Sequence, residues 1–304
     1  MARLFHTRGG RSAGELINSV GRRLRRGRVF FGHGTDNAHD EAAALVFHVM
    51  GLSHQSPAEV LQRRATAEQL ARIEALLERR IAERVPLAYL TREAWFAGLR
   101  FYVDERVLIP RSPFAELIER QFAPWIDARR VTRLLDIGTG CGCIGLAMAR
   151  AFPRARVDAV DIDSGALEVA QINRRRLRLT RRVRLIESDH FAALSGESYD
   201  IIASNPPYVG QREMRGLPRE YRHEPTLALA SGREGLDSVS VILRRAARHL
   251  RPGGLLVVEV GNTERALRRA YPRTPFTWLD FERGGGGVFL ITREQLAKAK
   301  EDVG

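Results

Sequence analysis

The second half of the chain alternates short apolar runs with helical segments, and this alternation constrains the fold more than any other feature. We interpret the apolar runs as buried strands: Val131–Ile137, Arg156–Val160, Val183–Ile186, Tyr199–Ala203 and Leu255–Val260. Helical stretches lie between them at 143–151, 164–178 and 238–250. Such alternation predicts a parallel sheet that is covered by helices on both faces.

Two further apolar runs, near 276–282 and 288–292, complete the predicted sheet. The link between them, Gly284 to Gly287, is too short for a crossover and requires a hairpin, so at least one terminal strand runs antiparallel. We therefore expect an α/β domain whose mostly parallel, seven-stranded sheet ends in an antiparallel hairpin. The tail after Arg293 is predicted to be a frayed helix.

The first part of the chain has the pattern of a small helical domain. A helix is predicted from Asn37 to Met50, and a second one starts at a capping box formed by Thr66 and Gln69. None of the histidines in this region has the spacing of a metal site. We expect residues 1–88 to form a helical domain that docks or orients the substrate.

Residues 89–111 change character, with aromatic and β-branched residues around turns at Ala97-Gly98 and Asp104-Glu105. This pattern predicts a β-hairpin linker. The predicted organisation is thus a helical domain at 1–88, a β-hairpin linker at 89–111 and an α/β domain at 112–304.

The charge balance of the 304 residues points to an anionic partner. The chain contains 49 Lys and Arg against 36 Asp and Glu, which gives a net charge of +13. Nucleic acid, the ribosome or another acidic surface would suit such a protein. Nearly all of the basic residues are arginines, which can reflect codon composition, so only the net charge is informative.

The cysteine content and the hydropathy pattern restrict where the protein works. Cys141 and Cys143 are the only cysteines, and no Cys/His cluster has metal-ligand spacing, so neither a disulfide framework nor a metal site is expected. A reducing, cytoplasmic setting fits best. No apolar run is long enough for a membrane span. The Arg-rich first thirty residues fit a basic helix or an organellar presequence.

A glycine-rich loop follows the first predicted strand, with the sequence Asp136-Ile-Gly138-Thr139-Gly140-Cys141-Gly142. Glycines let the backbone approach a ligand, and the following helix N-terminus offers free N–H groups. The second strand ends at Asp161, where a carboxylate can accept hydrogen bonds from ribose hydroxyls. Both features suit nicotinamide and sulfonium cofactors equally well. Asp163 is expected to cap the next helix.

The most specific motif is Asn205-Pro206-Pro207-Tyr208, directly after the strand at Tyr199–Ala203. Two prolines donate no N–H and restrict φ, so the carbonyls of Asn205 and Pro206 point in set directions. Together with the Asn205 side-chain oxygen, they make a rigid group of acceptors beside a tyrosine ring. This group suits a planar –NH2 with two N–H donors.

The glycine loop and the Asn-Pro-Pro-Tyr motif together resemble S-adenosylmethionine-dependent methyltransferases that modify amino groups. The stretch from Tyr89 to Phe96, and that from Phe101 to Pro113, resemble the protein-glutamine N(5)-methyltransferases. Pro110-Arg111-Ser112-Pro113 resembles the branch acting on large-subunit ribosomal protein L three, because the release-factor branch usually reads Pro-Arg-Pro-Asp. The resemblance spans roughly residues 40–292.

The resemblance implies a Rossmann-like methyltransferase domain and a role for each motif. Residues expected to bind S-adenosylmethionine are Asp136, Gly138, Thr139, Gly140, Cys141, Gly142, Asp161, Asp189, His190 and Asn205. His190 departs from the aromatic residue that is common in release-factor relatives. The expected catalytic residues are Asn205, Pro206, Pro207 and Tyr208, with Asn205 and the Pro206 carbonyl holding the glutamine amide and Tyr208 packing against it.

Several alternatives remain open from the sequence alone. The same motif serves adenine amino-methyltransferases on DNA or RNA, a release factor is another protein substrate, and the glycine loop also fits a nicotinamide-dependent oxidoreductase or a non-enzymatic ribosome-assembly factor. The implied partner is ribosomal protein L three, free or in a large-subunit precursor. Two arginine clusters, at 174–184 and 244–251, are predicted either to contact ribosomal RNA or to be solvated helix faces. The long segment from Val209 to Asp237 is expected to cover the substrate.

Overall fold

The structure, a computed structural model, describes residues 10–53, 58–299 and 302. The chain divides into two compact units, one made of Met1–Glu93 with Pro218–His223 and the other of Ala94–Leu217 with Glu224–Gly304. The first nine residues of the predicted presequence or basic helix lie outside the described residues. Within the described residues, no helix combines the length and the apolar character that a membrane crossing requires.

The smaller unit is helical, as predicted. Its helices are α1 (Ala13–Arg26), α2 (Ala38–Met50), α3 (Ala67–Ala82) and α4 (Leu87–Thr91), with a 3-10 turn at Ala58–Gln62. The capping box is confirmed, because the Thr66 hydroxyl accepts from the Gln69 N–H at 3.2 Å and the Gln69 side chain accepts from the Thr66 N–H at 3.0 Å. Apolar side chains from α1, α2 and α3 form one core: Leu16, Val20, Leu45, Val46, Ile73 and Leu77.

A buried arginine ties the Pro218–His223 segment into this unit. Arg80 is 1% exposed, and its guanidinium donates to Glu41 at 2.7 Å, to Glu220 at 3.2 Å and to the Phe30 carbonyl at 2.6 Å. Burial alone raises the pKa of Glu220, but hydrogen bonds from the Phe30 N–H and Arg80 outweigh it and leave this pKa lowered. Removing one partner would leave a buried charge uncompensated, so these contacts hold the segment firmly.

The hairpin is shorter than the sequence suggests. Strands β1 (Ala94–Phe96) and β2 (Leu99–Phe101) pair antiparallel through a two-residue turn, with φ of 46° at Ala97 and 71° at Gly98. Positive φ at both turn positions is the type I′ geometry that matches strand twist. The apolar run at 107–109 is not a strand, because the Ile109 N–H donates to the Glu224 carboxylate at 3.1 Å instead of to a neighbouring strand.

The larger unit contains the predicted sheet of seven strands. In chain order these are β3 (Arg133–Ile137), β4 (Arg156–Asp161), β5 (Val183–Glu187), β6 (Tyr199–Ser204), β7 (Leu250–Glu259), β8 (Thr277–Leu279) and β9 (Val288–Thr292). Their order across the sheet is β5-β4-β3-β6-β7-β9-β8, with β9 antiparallel to both β7 and β8. The predicted mostly parallel sheet with an antiparallel end is confirmed.

Two strands, β7 and β8, differ most from their predicted boundaries. Strand β7 starts at Leu250 rather than Leu255, because Leu250 already pairs with Tyr199 before a bulge, after which Leu255 pairs with Ile201. Strand β8 is limited to Thr277–Leu279, and the glycine-rich link begins soon afterwards.

Helices cover both faces of the sheet, as the alternation predicts. They are α5 (Phe114–Glu119), α6 (Cys143–Ala151), α7 (Ser164–Arg176), α8 (Gln211–Met214), α9 (Asp237–His249), α10 (Glu264–Ala270) and α11 (Arg293–Lys298). One core includes Phe114 and Leu146, and a second includes Ile242 and Leu296. From β3 the chain continues to β4 and β5 on one side, and it then crosses to β6 on the other side of β3. The strand order therefore switches between β3 and β6, and open α/β sheets bind ligands at the carboxyl ends of the strands at such a point.

Candidate active site

A cavity lies at the carboxyl ends of β3, β4 and β6, and most of the predicted site residues line it. Those in its wall are Gly138, Thr139, Gly140, Cys141, Asp161, Asp189, His190, Asn205, Pro206 and Pro207. Asp136, Gly142 and Tyr208 lie outside this wall. The fold therefore brings together motifs that are separated by about seventy residues in the sequence.

The glycine loop has positive φ angles that residues with a side chain would adopt only with strain. Gly138, Gly140 and Gly142 have φ of 70°, 54° and 87°. A Cβ on Gly140 would have no neighbour within 4 Å and would project into open space, whereas one on Gly142 would lie 2.9 Å from Leu146. A Cβ on Gly138 would meet only the Asn205 carbonyl oxygen, at 4.0 Å. Gly138 and Gly140 therefore leave room for a ligand, and Gly142 is required by packing.

Asp136 supports this loop from below. Its carboxylate accepts from the Thr139 hydroxyl at 2.6 Å and from the Gly145 N–H at 2.8 Å. The side chain is completely buried, and burial raises its pKa to about 7. Its other oxygen, Oδ1, has no hydrogen-bond partner among the described residues. Asp136 thus orders the loop instead of lining the cavity.

Asp161 connects the end of β4 to the same loop. One carboxylate oxygen accepts from the Gly140 N–H at 2.8 Å, and the other accepts from the Asp163 N–H at 3.0 Å. Burial raises the pKa of Asp161. Asp163 caps α7 by accepting from the Gly165 N–H at 2.7 Å, as predicted.

Asp189 and His190 follow β5 and form a hydrogen-bonded chain with Ser238, a cavity residue that the sequence reasoning missed. His190 Nδ1 lies 2.6 Å from an Asp189 carboxylate oxygen, and its Nε2 lies 2.7 Å from Ser238 Oγ. Both ring nitrogens are therefore engaged, and the imidazole is held in one orientation. The position of Ser238 in the first turn of α9 is a signal that could have identified it.

The Asn205–Tyr208 corner directly follows β6. The Ser204 hydroxyl donates to the Ile137 carbonyl at 2.8 Å, which joins the ends of β6 and β3. The side-chain oxygen Oδ1 of Asn205 is buried and has no hydrogen-bond partner among the described residues. Asn205 lines the cavity, and a buried acceptor without a partner is an unusual feature that calls for a functional explanation.

Tyr208 contacts a carboxylate that the sequence reasoning also missed. Its hydroxyl lies 3.4 Å from Glu259, which is 6% exposed at the end of β7 and accepts from the Ser112 hydroxyl at 2.5 Å. Burial raises the pKa of Glu259 to about 7. An acidic residue directly after the apolar residues 255–258 of β7 is the sequence signal for it.

The segment from Val209 to Asp237 contributes to the cavity through Pro225, Leu227 and Ala228. Just before these residues, the Glu224 carboxylate accepts two hydrogen bonds from Arg111, at 2.5 and 2.7 Å. This bidentate pair fixes the cavity-lining part of the segment within the larger unit. The expectation that the segment covers the substrate stays a prediction.

The arginine clusters are partly committed to internal contacts. Arg174 and Arg182 donate to backbone carbonyls, Arg184 pairs with Asp158 and Glu197, and Arg251 pairs with Asp200. These side chains stabilise the domain. The predicted contact of the remaining arginines with ribosomal RNA has no support from these contacts and stays a prediction.

Comparisons with known proteins agree with the motifs. The model of the PrmC N-terminal domain matches residues 24–91, and that of the methyltransferase small domain matches residues 120–217. The chain is 48% identical to the ribosomal protein uL3 glutamine methyltransferase of Neisseria meningitidis serogroup B over 93% of both chains. It is 46% identical to that of Bordetella pertussis, over 93% of this chain and 95% of the relative. The chain therefore belongs to the family of ribosomal protein uL3 glutamine methyltransferases.

Proposed function

We propose that this protein transfers a methyl group from S-adenosylmethionine to the side-chain amide nitrogen of a glutamine in ribosomal protein uL3, which is large-subunit ribosomal protein L three. The relatives that carry this name match nearly the whole chain, including the helical unit. The observation that carries the chemistry is the buried, unpartnered side-chain oxygen of Asn205, a residue that lines the cavity. The reaction takes place in the cytoplasm, on free uL3 or on a large-subunit precursor.

The cavity fits S-adenosylmethionine. The open space in front of Gly140, with its positive φ, admits a ligand close to the backbone. Asp161, which lines the same wall, has carboxylate oxygens of the kind that accept from ribose hydroxyls. The residues that would hold the cofactor are Gly138, Thr139, Gly140, Cys141, Asp161, Asp189 and His190, with Asp136 and Gly142 shaping the loop.

The chain's contribution to the reaction is placement and electrostatics. S-adenosylmethionine supplies an activated methyl group on a sulfonium. A glutamine amide nitrogen is a poor nucleophile, because its lone pair is delocalised into the carbonyl. The Asn205 oxygen and the Pro206 carbonyl accept the two amide N–H groups, orient the nitrogen and stabilise the positive charge that develops on it. Because Pro206 and Pro207 restrict the backbone, the two acceptors are preorganised.

No strong base is required in the corner itself. The four residues Asn205–Tyr208 include no carboxylate and no imidazole. The nitrogen loses its proton readily once it carries the methyl group, and water can accept that proton. The corner therefore needs acceptors for N–H groups rather than a residue that removes a proton beforehand.

Incubation of the purified protein with uL3 and labelled S-adenosylmethionine tests the proposal. Label should enter uL3, and fragmentation mass spectrometry should place one methyl group on a glutamine side chain. A peptide release factor and ribosomal RNA, offered in parallel, should remain unlabelled. Label in the release factor or the RNA alone would assign the enzyme to another substrate class.

A further inference from the structure

A buried carboxylate links two segments that the proposed function does not yet explain. Glu259 is the last residue of β7, which pairs with β6 through Val258 and Ser204. One of its oxygens accepts from the Ser112 hydroxyl at 2.5 Å, and the other lies 3.4 Å from the Tyr208 hydroxyl. Ser112 is itself fixed, because its oxygen also accepts from the Phe114 N–H at 3.1 Å. The carboxylate thus connects the start of α5 to the Asn205–Tyr208 corner.

Tyr208 packs closely against the backbone of two glycines, where a side chain would clash with it. A Cβ on Gly261 would lie 2.6 Å from Cε2 of the Tyr208 ring, so the ring lies directly against that backbone. A Cβ on Gly235 would lie 2.1 Å from the Tyr208 carbonyl oxygen. Both the ring and the backbone of Tyr208 are therefore closely confined, and the hydroxyl at the end of the ring points to Glu259.

The position of Tyr208 determines where the two proposed acceptors, the Pro206 carbonyl and the Asn205 side chain, lie. Pro206 and Pro207 line the cavity and connect Asn205 to Tyr208. Prolines restrict φ, so this short segment has little freedom to absorb a displacement at one end. A shift of Tyr208 would therefore move the Pro206 carbonyl and the Asn205 side chain. Displacements on the scale of 1 Å in a reacting group can cost about 10²-fold in rate.

We propose that Glu259 is a positioning residue of the methyl-transfer site, which acts through Tyr208 and is itself oriented by Ser112. This inference rests on the proposed function. Glu259 and Tyr208 both lie outside the cavity wall, so neither needs to touch the substrate. The role also gives a physical meaning to Ser112 in the Arg-Ser-Pro segment, because a proline at this place would have no hydroxyl to donate to Glu259.

Steady-state kinetics on the full-length enzyme test the proposal with Glu259→Gln, Tyr208→Phe and the double variant. Each single substitution should lower kcat for uL3 methylation about tenfold and leave the KM for S-adenosylmethionine unchanged, because it misplaces the acceptors and not the cofactor. The kcat of the double variant should be no lower than that of the less active single variant, because both substitutions interrupt the same contact. Unchanged kcat in the single variants, or multiplied losses in the double variant, would overturn the proposal.

Two variants serve as matched controls. Tyr271→Phe also removes a tyrosine hydroxyl, one that donates to Ser240 at 2.8 Å outside the cavity. Glu116→Gln also alters a buried carboxylate, one that accepts from the backbone N–H groups of Glu282 and Arg283. Both controls should retain the wild-type kcat. Equal losses in the controls would mean that any buried substitution lowers activity, and would remove the case for Glu259.

A second measurement does not depend on methyl transfer. The side-chain amide resonances of Asn205 should shift in nuclear magnetic resonance spectra of Ser112→Ala, Glu259→Gln and Tyr208→Phe, but not of the two controls. If the wild-type enzyme fails to methylate uL3, the proposed function falls, while these spectra still decide whether Glu259 positions the corner. If the wild-type enzyme is active and the Asn205 resonances stay in place in all three variants, only the positioning proposal falls.

Discussion

The glycine loop and the Asn205–Tyr208 corner lie at the ends of neighbouring parallel strands, yet they differ in how their polar groups are satisfied. In the loop, the Gly140 N–H donates to Asp161, and one oxygen of Asp136 accepts from Thr139 and Gly145. The other oxygen of Asp136 has no partner among the described residues, but Asp136 lies outside the cavity wall, whereas Asn205 lines it. In the corner, the Asn205 oxygen is buried and has no partner among the described residues.

This difference separates two kinds of binding surface. The N–H of Gly140 in the cavity wall is already bound within the protein, so the contribution of the loop to a ligand is shape and close backbone approach. The corner contains an acceptor without a partner, the Asn205 oxygen, so its contribution to binding depends on a donor group of the substrate. Substitutions in the loop should therefore act on cofactor affinity and stability, and those in the corner should act on turnover.

The largest expected effect is the loss of activity in Asn205→Ala, which removes the unpartnered acceptor of the corner. The loss of one preorganised transition-state contact costs about 3 kcal/mol, so kcat for uL3 methylation should fall by about 10² to 10³. S-adenosylmethionine affinity, measured by calorimetry, should stay near that of the wild type. Wild-type turnover in this variant would remove Asn205 from the reaction and erase the contrast with the loop.

Each region also contacts a buried carboxyl group, Asp136 for the loop and Glu259 for the corner, and burial raises both pKa values to about 7. The folded state therefore binds these protons more tightly than the unfolded state does. The associated stability is fully present below the unfolded-state pKa of about 4 to 4.5 and is lost as the pH rises through about 7.

Glu259→Gln should remove its share of this pH dependence. Between pH 5 and pH 8, the free energy of unfolding of the wild type should fall by about 2 kcal/mol relative to the variant. Urea unfolding of the cofactor-free protein at both pH values measures this difference. Parallel pH profiles for the two proteins would show that Glu259 stays ionised in the folded state.

Asp161→Ala should weaken cofactor binding, because it removes a cavity carboxylate and the contact that orders Gly140. We expect about a tenfold loss of S-adenosylmethionine affinity, equivalent to about 1.4 kcal/mol. The kcat at saturating cofactor should change much less. Asp127→Ala is the matched control, since Asp127 also accepts from a backbone N–H, that of Arg129 at 3.1 Å, but lies outside the cavity wall. An unchanged affinity in Asp161→Ala would exclude this carboxylate from cofactor binding.

The smallest effect is expected for Gly140→Ala, which introduces a side chain at a φ of 54°. Left-handed backbone costs about 1 kcal/mol for an L-residue, and the added methyl group would occupy space in the cavity. Thermal unfolding should show a modest loss of stability, together with weaker cofactor binding. Gly98→Ala, at a positive φ outside the cavity wall, should lose stability alone.

Much of the fold could be predicted because its determinants are local. The strand at Tyr199–Ser204 and the helix at Cys143–Ala151 follow from apolar periodicity, and the antiparallel end follows from a glycine link that is too short for a crossover. The run at 107–109 was misread because it has strand composition, whereas its N–H at Ile109 is claimed by a carboxylate from a distant segment.

The site was predicted only as far as its motifs are contiguous. Residue type at a strand end is enough to recognise the glycine loop, Asp161 and Asn205–Pro207. Residues 138–141 of the loop line one cavity together with Asp161 and Asn205–Pro207. Ser238 and Glu259 are not predicted, because their positions in a first helical turn and at a strand end are only weak signals. The role of each depends on partners far along the chain: His190 for Ser238, and Ser112 and Tyr208 for Glu259.

The amino-acid sequence by itself determined the α/β architecture, the two ligand-facing motifs and the family resemblance, because periodicity and short motifs are properties of neighbouring residues. Only the tertiary structure decided which polar atoms are satisfied. It buried Glu259 and Asp136 and raised their pKa values, placed Tyr208 outside the cavity wall, and left the Asn205 oxygen without a partner among the described residues. Burial and hydrogen-bond satisfaction depend on every segment that surrounds an atom, and no local pattern contains that information.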